Sequence, residues 1–223
     1  MNASDQTAIS ILLVDDHPVV RLGIIQLLNL EPDFQVRWQA ASVEEAVAVC
    51  ESAEPDMAVV DISLGKESGI ELIKKLIRRR PSMQILAMSM HDESLYAERA
   101  LHAGAKGYVM KHSAAKNIVA ALRRIRKGEI YVSEEMSSRM IGRAITGSPG
   151  QRPLGLGQLS DRELEVFRLI GLGLKKGELA LRLNLSVHTI ESHRASLKRK
   201  LNVNSSSELA RLAILHFEAD RNP

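Results

Sequence analysis

Apolar residues follow two different periods in the first half of the chain. Short apolar runs in "ISILLVDD", "MAVVDIS" and "QILAMSM" are typical of buried strands, whereas "SVEEAVAVCESA" and "GIELIKKLIRR" space apolar residues three and four apart, as amphipathic helices do. Five such strands alternate with five such helices up to about residue 128. The alternation predicts an α/β domain built on a five-stranded, doubly wound parallel sheet.

The last third of the chain has only helical patterns. Ser160, followed three residues later by Glu163, has the capping-box signature of a helix start. The segment "KKGELALRLNL" then predicts a short helix, and "SVHTIESHRASLKRKLNV" predicts a longer one capped by Ser186. Two helices joined by a brief turn, the second of them basic, indicate a small all-α helix-turn-helix domain. A final helix, "SSSELARLAILHFEA", is expected either to pack on this core or to meet a second copy.

The two patterns are separated by a segment of different composition. We predict a helix capped by Ser133, followed by a Gly- and Pro-rich linker over residues 147–158. One face of this helix is apolar and is expected to pack at a domain or dimer interface; it carries Met136, Met140, Ile141 and Ala144. The predicted domains are therefore residues 1–130, a connecting segment 131–158, and residues 159–223.

Composition narrows the class of protein further. No run approaches the ~20 apolar residues that span a bilayer, and the polar N-terminus "MNASDQTAIS" lacks a signal-peptide pattern, so we expect a cytoplasmic protein without a membrane partner. The single cysteine, Cys50, cannot form an internal disulfide and is expected to be a buried packing residue in a helix.

Positive charge is concentrated near the C-terminus. The formal net charge is +3, and from Gly157 onward 11 Lys and Arg stand against 8 Asp and Glu, so this third carries the whole excess. Four of these positive side chains lie within "RASLKRKL". This segment is the predicted contact with an anionic partner such as nucleic acid, although a solvated helix face has the same composition.

Polar side chains follow four of the predicted strands. Asp15 and Asp16 end the first, Asp61 the third, Ser89 the fourth and Lys111 the fifth. Because ligands of open α/β sheets bind beyond the carboxyl ends of the strands, these groups are expected to converge on one site. Any one of them alone would more often be a helix cap.

Residues 9 to about 128 resemble the flavodoxin-like receiver domain of bacterial two-component response regulators, on "LLVDDHP", "AVVDIS", "LAMSMH" and "AGAKGYVMK". The resemblance implies that Asp61 accepts a phosphoryl group from a histidine kinase. It also implies that Ser89 and Lys111 contact that group. The implied ligands of a divalent cation are Asp15, Asp16, Asp61 and the backbone carbonyl of Ser63.

The physical chemistry of these residues agrees with those roles. Three neighbouring carboxylates would repel one another and take up protons unless a cation neutralised them. Mg²⁺ prefers oxygen ligands and typically binds one or two carboxylates together with phosphate oxygens. Asp61 needs no general base, because an ionised carboxylate is already nucleophilic.

The resemblance also implies a switch. A phosphoryl oxygen that draws the Ser89 hydroxyl inward would leave space for the ring of Tyr108, unless Tyr108 is an ordinary strand aromatic. The chain departs from many receivers after Asp61, where Leu64 and Gly65 replace a Met-Pro pair. Ser63 and His91 lie at positions that influence loss of the phosphoryl group in receivers.

The basic helix separates into two faces when residues 187–201 are placed about 100° apart. The predicted buried face holds Ile190, Leu197, Leu201 and the stem of Arg194. The opposite face, expected to enter a major groove, holds His188, Ser192, Ala195, Ser196 and Arg199. Glu191 and Lys198 flank the groove-facing side on one edge, and His193 and Lys200 flank it on the other. These flanking residues are expected to meet phosphates. Glu191 is the exception, because it is placed to accept a hydrogen bond from cytosine.

Residues of about 159–216 resemble the LuxR-type DNA-binding domain of the NarL/FixJ regulators, on "LSDRELEVFRLIGLG", "ELALRLNLS" and "HTIESHRASLKRKLNV". The resemblance implies that Thr189 and His193 contact the DNA backbone. It implies that Glu191, Ser192 and Ala195 face the bases. The scaffold helix departs from the family, since "KKG" at residues 175–177 replaces the usual polar cap followed by Asn-Lys.

We therefore predict a response regulator that is phosphorylated on Asp61 by a histidine kinase and binds double-stranded DNA, as a homodimer, to regulate transcription. Its only catalysis would be its own phosphorylation and dephosphorylation. Replacing either Lys198 or Lys200 should flatten the salt dependence of DNA binding by about one unit of slope.

The alternatives are a regulator that works without phosphorylation, a haloacid-dehalogenase-like phosphatase, and a quorum sensor. The phosphatase would need Asp where Ser63 stands, and the quorum sensor does not explain the acidic strand edge.

Overall fold

The computed structural model describes residues 8–64, 67–90, 93–146, 156 and 158–219. The chain divides into two compact units, one ending at Thr146 and the other beginning at Gly147. Within the described residues, no helix combines the length and the apolar character needed to cross a membrane. Of the predicted linker 147–158, only Leu156 and Gln158 are described, and the predictions for Gly65 and His91 also lie outside the described residues.

The first unit has the predicted α/β architecture. Its elements are β1 Ile9–Val14, α1 Pro18–Asn29, β2 Phe34–Ala40, α2 Val43–Ser52, β3 Met57–Asp61, β4 Ser63–Leu64, β5 Glu67–Ser68, α3 Gly69–Arg79, β6 Gln84–Ser89, α4 Glu93–Ala103, β7 Gly107–Met110, α5 Lys111–Arg126 and α6 Glu134–Thr146. The five long strands are all parallel and lie in the order β2-β1-β3-β6-β7. The predicted doubly wound sheet is therefore confirmed.

The central strands are buried along nearly their whole length. All five residues of β3 are buried, as are Ile11–Val14 of β1 and Ile85–Ser89 of β6. Helices on both faces explain why these strands are continuous apolar runs rather than alternating ones. Because the strands are buried, the polar residues at their carboxyl ends are held by a rigid core.

Three details differ from the sequence predictions. Lys111 is the first residue of α5 rather than the end of a strand, so α5 starts earlier than the apolar spacing indicated. Ser63–Leu64 and Glu67–Ser68 form a small antiparallel pair directly after Asp61. Helix α6 belongs to the first unit, where it contacts α4, instead of forming a separate connecting segment.

Helix α6 starts as predicted, but its apolar face is only partly covered. The Ser133 hydroxyl accepts a hydrogen bond from the backbone N–H of Met136 at 3.1 Å, and the Met136 side chain is buried. Ile141 remains 57% exposed, and the side chain of Ala144 lies outside the described residues. The predicted apolar face of α6 is therefore covered at Met136 and exposed at Ile141.

The second unit is all-helical. It consists of α7 Asp161–Gly171, α8 Lys176–Arg182, α9 Val187–Lys200 and α10 Ser206–Ala219. The predicted capping box of Ser160 and Glu163 is present at the start of α7, and the Ser186 hydroxyl caps α9 by accepting from the N–H of Thr189 at 3.0 Å. Asn184 (φ 50°) makes the left-handed turn between α8 and α9, a conformation that Asn tolerates better than most residues.

Gly69 allows helix α3 to start against the end of β3. A Cβ atom at this position would overlap the backbone carbonyl oxygen of Asp61 and would lie 2.7 Å from Cα of Ile62. The backbone N–H of Gly69 donates to the carbonyl of Ile62 at 2.8 Å, which fixes this close approach. Only glycine fits between α3 and the strand that ends in Asp61.

Gly69→Ala should lower the free energy of unfolding by about 1–3 kcal/mol, because a new methyl group must push backbone atoms apart. It should also displace Asp61. Thermal or denaturant unfolding measures the first effect, and the rate of phosphorylation measures the second. The matched control is Gly23→Ala in α1, where a Cβ meets no atom within 4 Å and helix propensity favours alanine. Equal stability of the two variants would contradict the assigned close approach.

Candidate functional site

The carboxyl edge of the sheet brings the predicted polar groups together. Nζ of Lys111 lies 2.7 Å from Oδ2 of Asp61 and 2.8 Å from Oδ2 of Asp15, so one ammonium group bridges two carboxylates. Ser89 ends β6, one residue beyond Met88, which is in register with Asp61. Four segments distant in sequence thus contribute polar groups to one edge of the sheet.

Burial raises the free-energy cost of keeping the groups of this cluster charged. Asp15 and Asp61 are essentially inaccessible to solvent, and the Lys111 side chain is only 5% exposed. Burial raises the pKa of Asp61 to about 6, against the opposing effect of Lys111 and with a further contribution from the charge of Asp15. Burial acts to lower the pKa of Lys111, but its ion pairs with the two carboxylates outweigh that effect and raise it.

Backbone groups orient the carboxylates. The N–H of Ser63 donates to Oδ1 of Asp61 at 3.1 Å, and the N–H of His17 donates to Oδ1 of Asp15 at 2.8 Å. The imidazole of His17 lies 2.6 Å from Oδ1 of Asp16 through Nδ1. Sequence reasoning did not single out His17, although its position directly after the acidic pair is a usable signal.

The cluster has the composition of a divalent cation site. Ligand atoms of Asp15, Asp16, His17 and Asp61 all lie within 4.8 Å of one another. Three carboxylates face a single ammonium group, so the pocket has unbalanced negative charge that a cation would neutralise. These residues fit a divalent cation bound mainly through carboxylate oxygens.

Ser89 and Tyr108 lie on the neighbouring strands β6 and β7, with Ser89 at the end of β6 and Tyr108 in register with Ala87. Both side chains are buried, and the Tyr108 ring is only 1% exposed. The backbone N–H of Tyr108 donates to the carbonyl of Tyr131 at 2.8 Å, which ties this strand to the chain beyond α5. The ring is therefore packed inside the unit in this structure, while its role as a switch remains a prediction.

Helix α9 presents the predicted nucleic-acid contacts with different degrees of exposure. The exposed residues of the predicted set are His188, Glu191, Ser192, Ala195 and Arg199. The half-buried residues are Thr189, His193, Lys198 and Lys200. Ile190 and Leu197 are buried as predicted.

Glu163 determines how α9 sits against α7. Its Oε2 accepts hydrogen bonds from the N–H of Ser160 at 2.7 Å and from Nζ of Lys200 at 2.6 Å, and its Oε1 accepts from the hydroxyl of Ser196 at 2.6 Å. Burial would raise the pKa of Glu163, but these donors, with Lys200 the largest contributor, lower it to about 2. Glu163 is therefore a charged link between the two helices as well as a cap.

This link corrects part of the predicted helix face. Ser196 was expected on the groove side, but its hydroxyl points to Glu163 of α7. The ammonium group of Lys200 is likewise engaged within the protein. Helical spacing alone could not show this, because the angle of a residue does not reveal a buried partner on another helix.

His193 lies on the same side of α9. Burial lowers its pKa, the nearby Arg162 lowers it further, and Glu163 opposes the shift. His193 is consequently a neutral side chain at neutral pH, since its ordinary pKa is already 6.5. In the protein without DNA, His193 can therefore offer a phosphate a neutral hydrogen-bond donor.

Comparison with known proteins identifies the two domains that carry these sites. Residues 11–123 match the response regulator receiver domain, and residues 157–213 match the bacterial regulatory proteins of the luxR family. The chain belongs to the response regulators with a LuxR-type output domain. It is a phosphorylation-regulated transcription factor of the NarL/FixJ type and not a metabolic enzyme, which excludes the phosphatase alternative.

Relatives share both domains of this response regulator. The response regulator UvrY of Escherichia coli is 33% identical over 93% of this chain and 94% of its own. The oxygen regulatory protein NreC of Staphylococcus carnosus is 32% identical over 92% of this chain and 96% of its own. A solved structure of RcsB from Salmonella enterica serovar Typhimurium, bound to promoter rprA with the phosphomimetic BeF3-, is 26% identical with a TM-score of 0.60, covering 92% of this chain and 98% of that one.

Asp61→Asn should stabilise the metal-free regulator near neutral pH by about 1–3 kcal/mol, because it removes a buried charge. The pKa of Asp61 is raised from 3.8 to about 6, so the folded protein binds a proton that the unfolded chain releases between those values. The wild type therefore loses stability as pH rises through this window. The advantage of the variant should be complete above about pH 6 and should vanish near pH 4.

Denaturant unfolding across this pH range, with a chelator present, measures the effect. Glu44→Gln at the exposed start of α2 is the control, and it should change stability little at any pH. Added Mg²⁺ should reduce the advantage of Asp61→Asn. A variant less stable than wild type near neutral pH would contradict the assigned cost of the buried charge.

Proposed function

We propose that this regulator takes a phosphoryl group from a phosphohistidine of a partner kinase onto Asp61, and that the modification controls DNA binding by α9. The observation that carries the first step is the arrangement of Lys111, which bridges the buried carboxylates of Asp61 and Asp15. It combines a nucleophilic carboxylate with a fixed positive charge at a strand end.

The proposed transfer uses Asp61 as the nucleophile and nearby positive charge to stabilise the phosphoryl oxygens. A carboxylate oxygen of Asp61 attacks the phosphorus atom, the bond from phosphorus to the kinase histidine nitrogen breaks, and that nitrogen keeps the electron pair. Lys111 stabilises negative charge on the transferring oxygens, and the Ser89 hydroxyl donates to one of them. Mg²⁺ held by Asp15, Asp16 and Asp61, with the Ser63 carbonyl, would supply further positive charge when bound.

Phosphorylation is proposed to act on the rest of the domain by changing the group that Lys111 contacts. Phosphorylation of Asp61 replaces the carboxylate that Lys111 now contacts with a group of larger size and charge. Ser89 and Tyr108 then respond on the adjacent strands, and the surface of α4, β7 and α5 changes with them. We propose that this surface controls dimerisation or release of the output domain, in a protein of the cytoplasm.

Wild type should become phosphorylated in the presence of acetyl phosphate and Mg²⁺, whereas Asp61→Asn should not. Intact mass or a phosphate-affinity gel measures the modification. Asp56→Asn is the control, since Asp56 is another carboxylate near the sheet but bonds to Ser10 instead of Lys111. Modification that persists in Asp61→Asn would overturn the assignment of Asp61, and a requirement for Asp56 would do the same.

The output half is proposed to bind double-stranded DNA as a homodimer. Solved relatives include two RcsB dimers bound to two parallel DNAs, which are 26% identical over 92% of this chain with a TM-score of 0.56. In this chain the exposed face of α9 would enter the major groove, with Ser192 and Ala195 against base edges. His188 and Arg199 extend the same face, and Thr189, His193, Lys198 and Lys200 are proposed backbone contacts.

The two flanking lysines should differ in the salt dependence of DNA binding. Lys198→Gln should lower the slope of log affinity against log salt by about one unit, because Lys198 has no carboxylate partner in the described part of the chain. Lys200→Gln should lower it by less, since Glu163 already neutralises Lys200. This revises the equal effects expected from sequence.

Binding to a duplex across a salt series measures both slopes. Lys75→Gln on the exposed side of α3 is the control and should leave the slope unchanged. Equal slopes for Lys198→Gln and wild type would contradict the proposed phosphate contact. A full unit lost in Lys200→Gln would show that DNA draws Lys200 away from Glu163.

A further inference from the structure

The departure from the family at the start of α8 has a structural counterpart on α9. Lys176, the first residue of α8, donates from Nζ to Oε1 of Glu191 at 2.5 Å. The two side chains are each about half exposed, at 51% and 50%. This ion pair therefore joins the scaffold helix to the helix proposed to enter the groove, on its solvent side.

A carboxylate on a DNA-binding face has an electrostatic cost. Phosphates repel it, so an acidic side chain there weakens binding to every sequence unless a positive charge compensates. Lys176 supplies that charge at the point of contact, and its hydrogen bond is the main cause that lowers the pKa of Glu191. The pair as a whole adds no net charge to the interface.

The pair also orients the carboxylate. Oε1 is engaged by Lys176, and Oε2 has no hydrogen-bond donor among the residues that the structure describes. Glu191 lies next to the exposed Ser192 and one helical turn from Ala195 and His188, on the face proposed to meet bases. One oxygen is thus fixed by the protein, and the other is available to a ligand.

Such an acceptor distinguishes bases by their exocyclic groups. In the major groove cytosine presents an N4 amino donor, whereas guanine O6 and thymine O4 are acceptors that a carboxylate would repel. Adenine also has an amino donor, N6, but its neighbouring N7 is an acceptor that disfavours a carboxylate and suits an amide such as glutamine. We propose that Lys176 and Glu191 form one specificity-determining pair, in which Lys176 positions the Glu191 carboxylate to accept a hydrogen bond from a cytosine. This inference rests on the proposed DNA-binding function and concerns which sequence is chosen.

The pair does not serve stability. Exposed ion pairs contribute little to folding, so removing either partner should leave the melting temperature nearly unchanged. A change in base preference without a change in stability therefore separates a recognition role from a structural one.

The test is selection from a duplex library with a randomised central segment, with Mg²⁺ and beryllofluoride present throughout. Wild type should enrich sites with a cytosine at one position of each half-site. Glu191→Gln should move that preference towards adenine, because glutamine pairs with adenine N6 and N7. Lys176→Gln should reduce the preference for cytosine by about fivefold to 150-fold, the range expected for one base contact, and leave the rest of the site unchanged.

Lys175→Gln is the matched control. It removes the same charge from the adjacent exposed residue, which makes no ion pair with Glu191. It should weaken binding to all duplexes to a similar extent as Lys176→Gln while keeping the preference for cytosine. This comparison separates the positioning role of Lys176 from its contribution to overall charge.

Two outcomes would overturn the inference. If wild type, Lys176→Gln and Glu191→Gln enrich the same sites, the pair does not determine specificity, although the DNA-binding function stands. If wild type enriches no site while its receiver is phosphorylated normally by acetyl phosphate, sequence-specific DNA binding and the inference that rests on it both fail.

Discussion

The ammonium group of Lys111 holds together two buried carboxylates that would otherwise repel each other. Asp15 and Asp61 lie at the ends of the strands β1 and β3, which are hydrogen-bonded neighbours in the sheet, so the fold forces these charges together. Lys111 compensates part of this charge, and Asp16 adds to what remains. The pocket consequently favours a cation and a group that Lys111 can contact in place of the Asp61 carboxylate.

The output unit is organised around a second buried carboxylate. Glu163 caps α7 and also binds Ser196 and Lys200, so the position of α9 depends on the start of α7. The exposed side of α9 is thereby left to His188, Glu191, Ser192, Ala195 and Arg199. The balance differs between the two carboxylates: hydrogen-bond donors lower the pKa of Glu163 despite its burial, whereas burial outweighs Lys111 and raises the pKa of Asp61.

Periodicity and caps were sufficient to predict the sheet, the helix-turn-helix and the strand-end cluster, because these depend on local pattern and on the rule that ligands bind at strand ends. Tertiary partners were not predictable. Gly69 is required by a backbone contact with Asp61, and Ser196 turns towards Glu163. Lys111 was assigned to a strand because "GYVMK" has strand-like residues, yet the chain enters α5 at that point.

The central claim is that the Asp61 pocket controls the DNA-binding half. The most direct measurement compares DNA affinity and oligomeric mass of wild type and Asp61→Ala with Mg²⁺, each with and without beryllofluoride. The account predicts that beryllofluoride increases affinity and dimer formation in wild type only. An equal response of both proteins, or a response of neither, would contradict it, because the acidic pocket would then not govern the output domain.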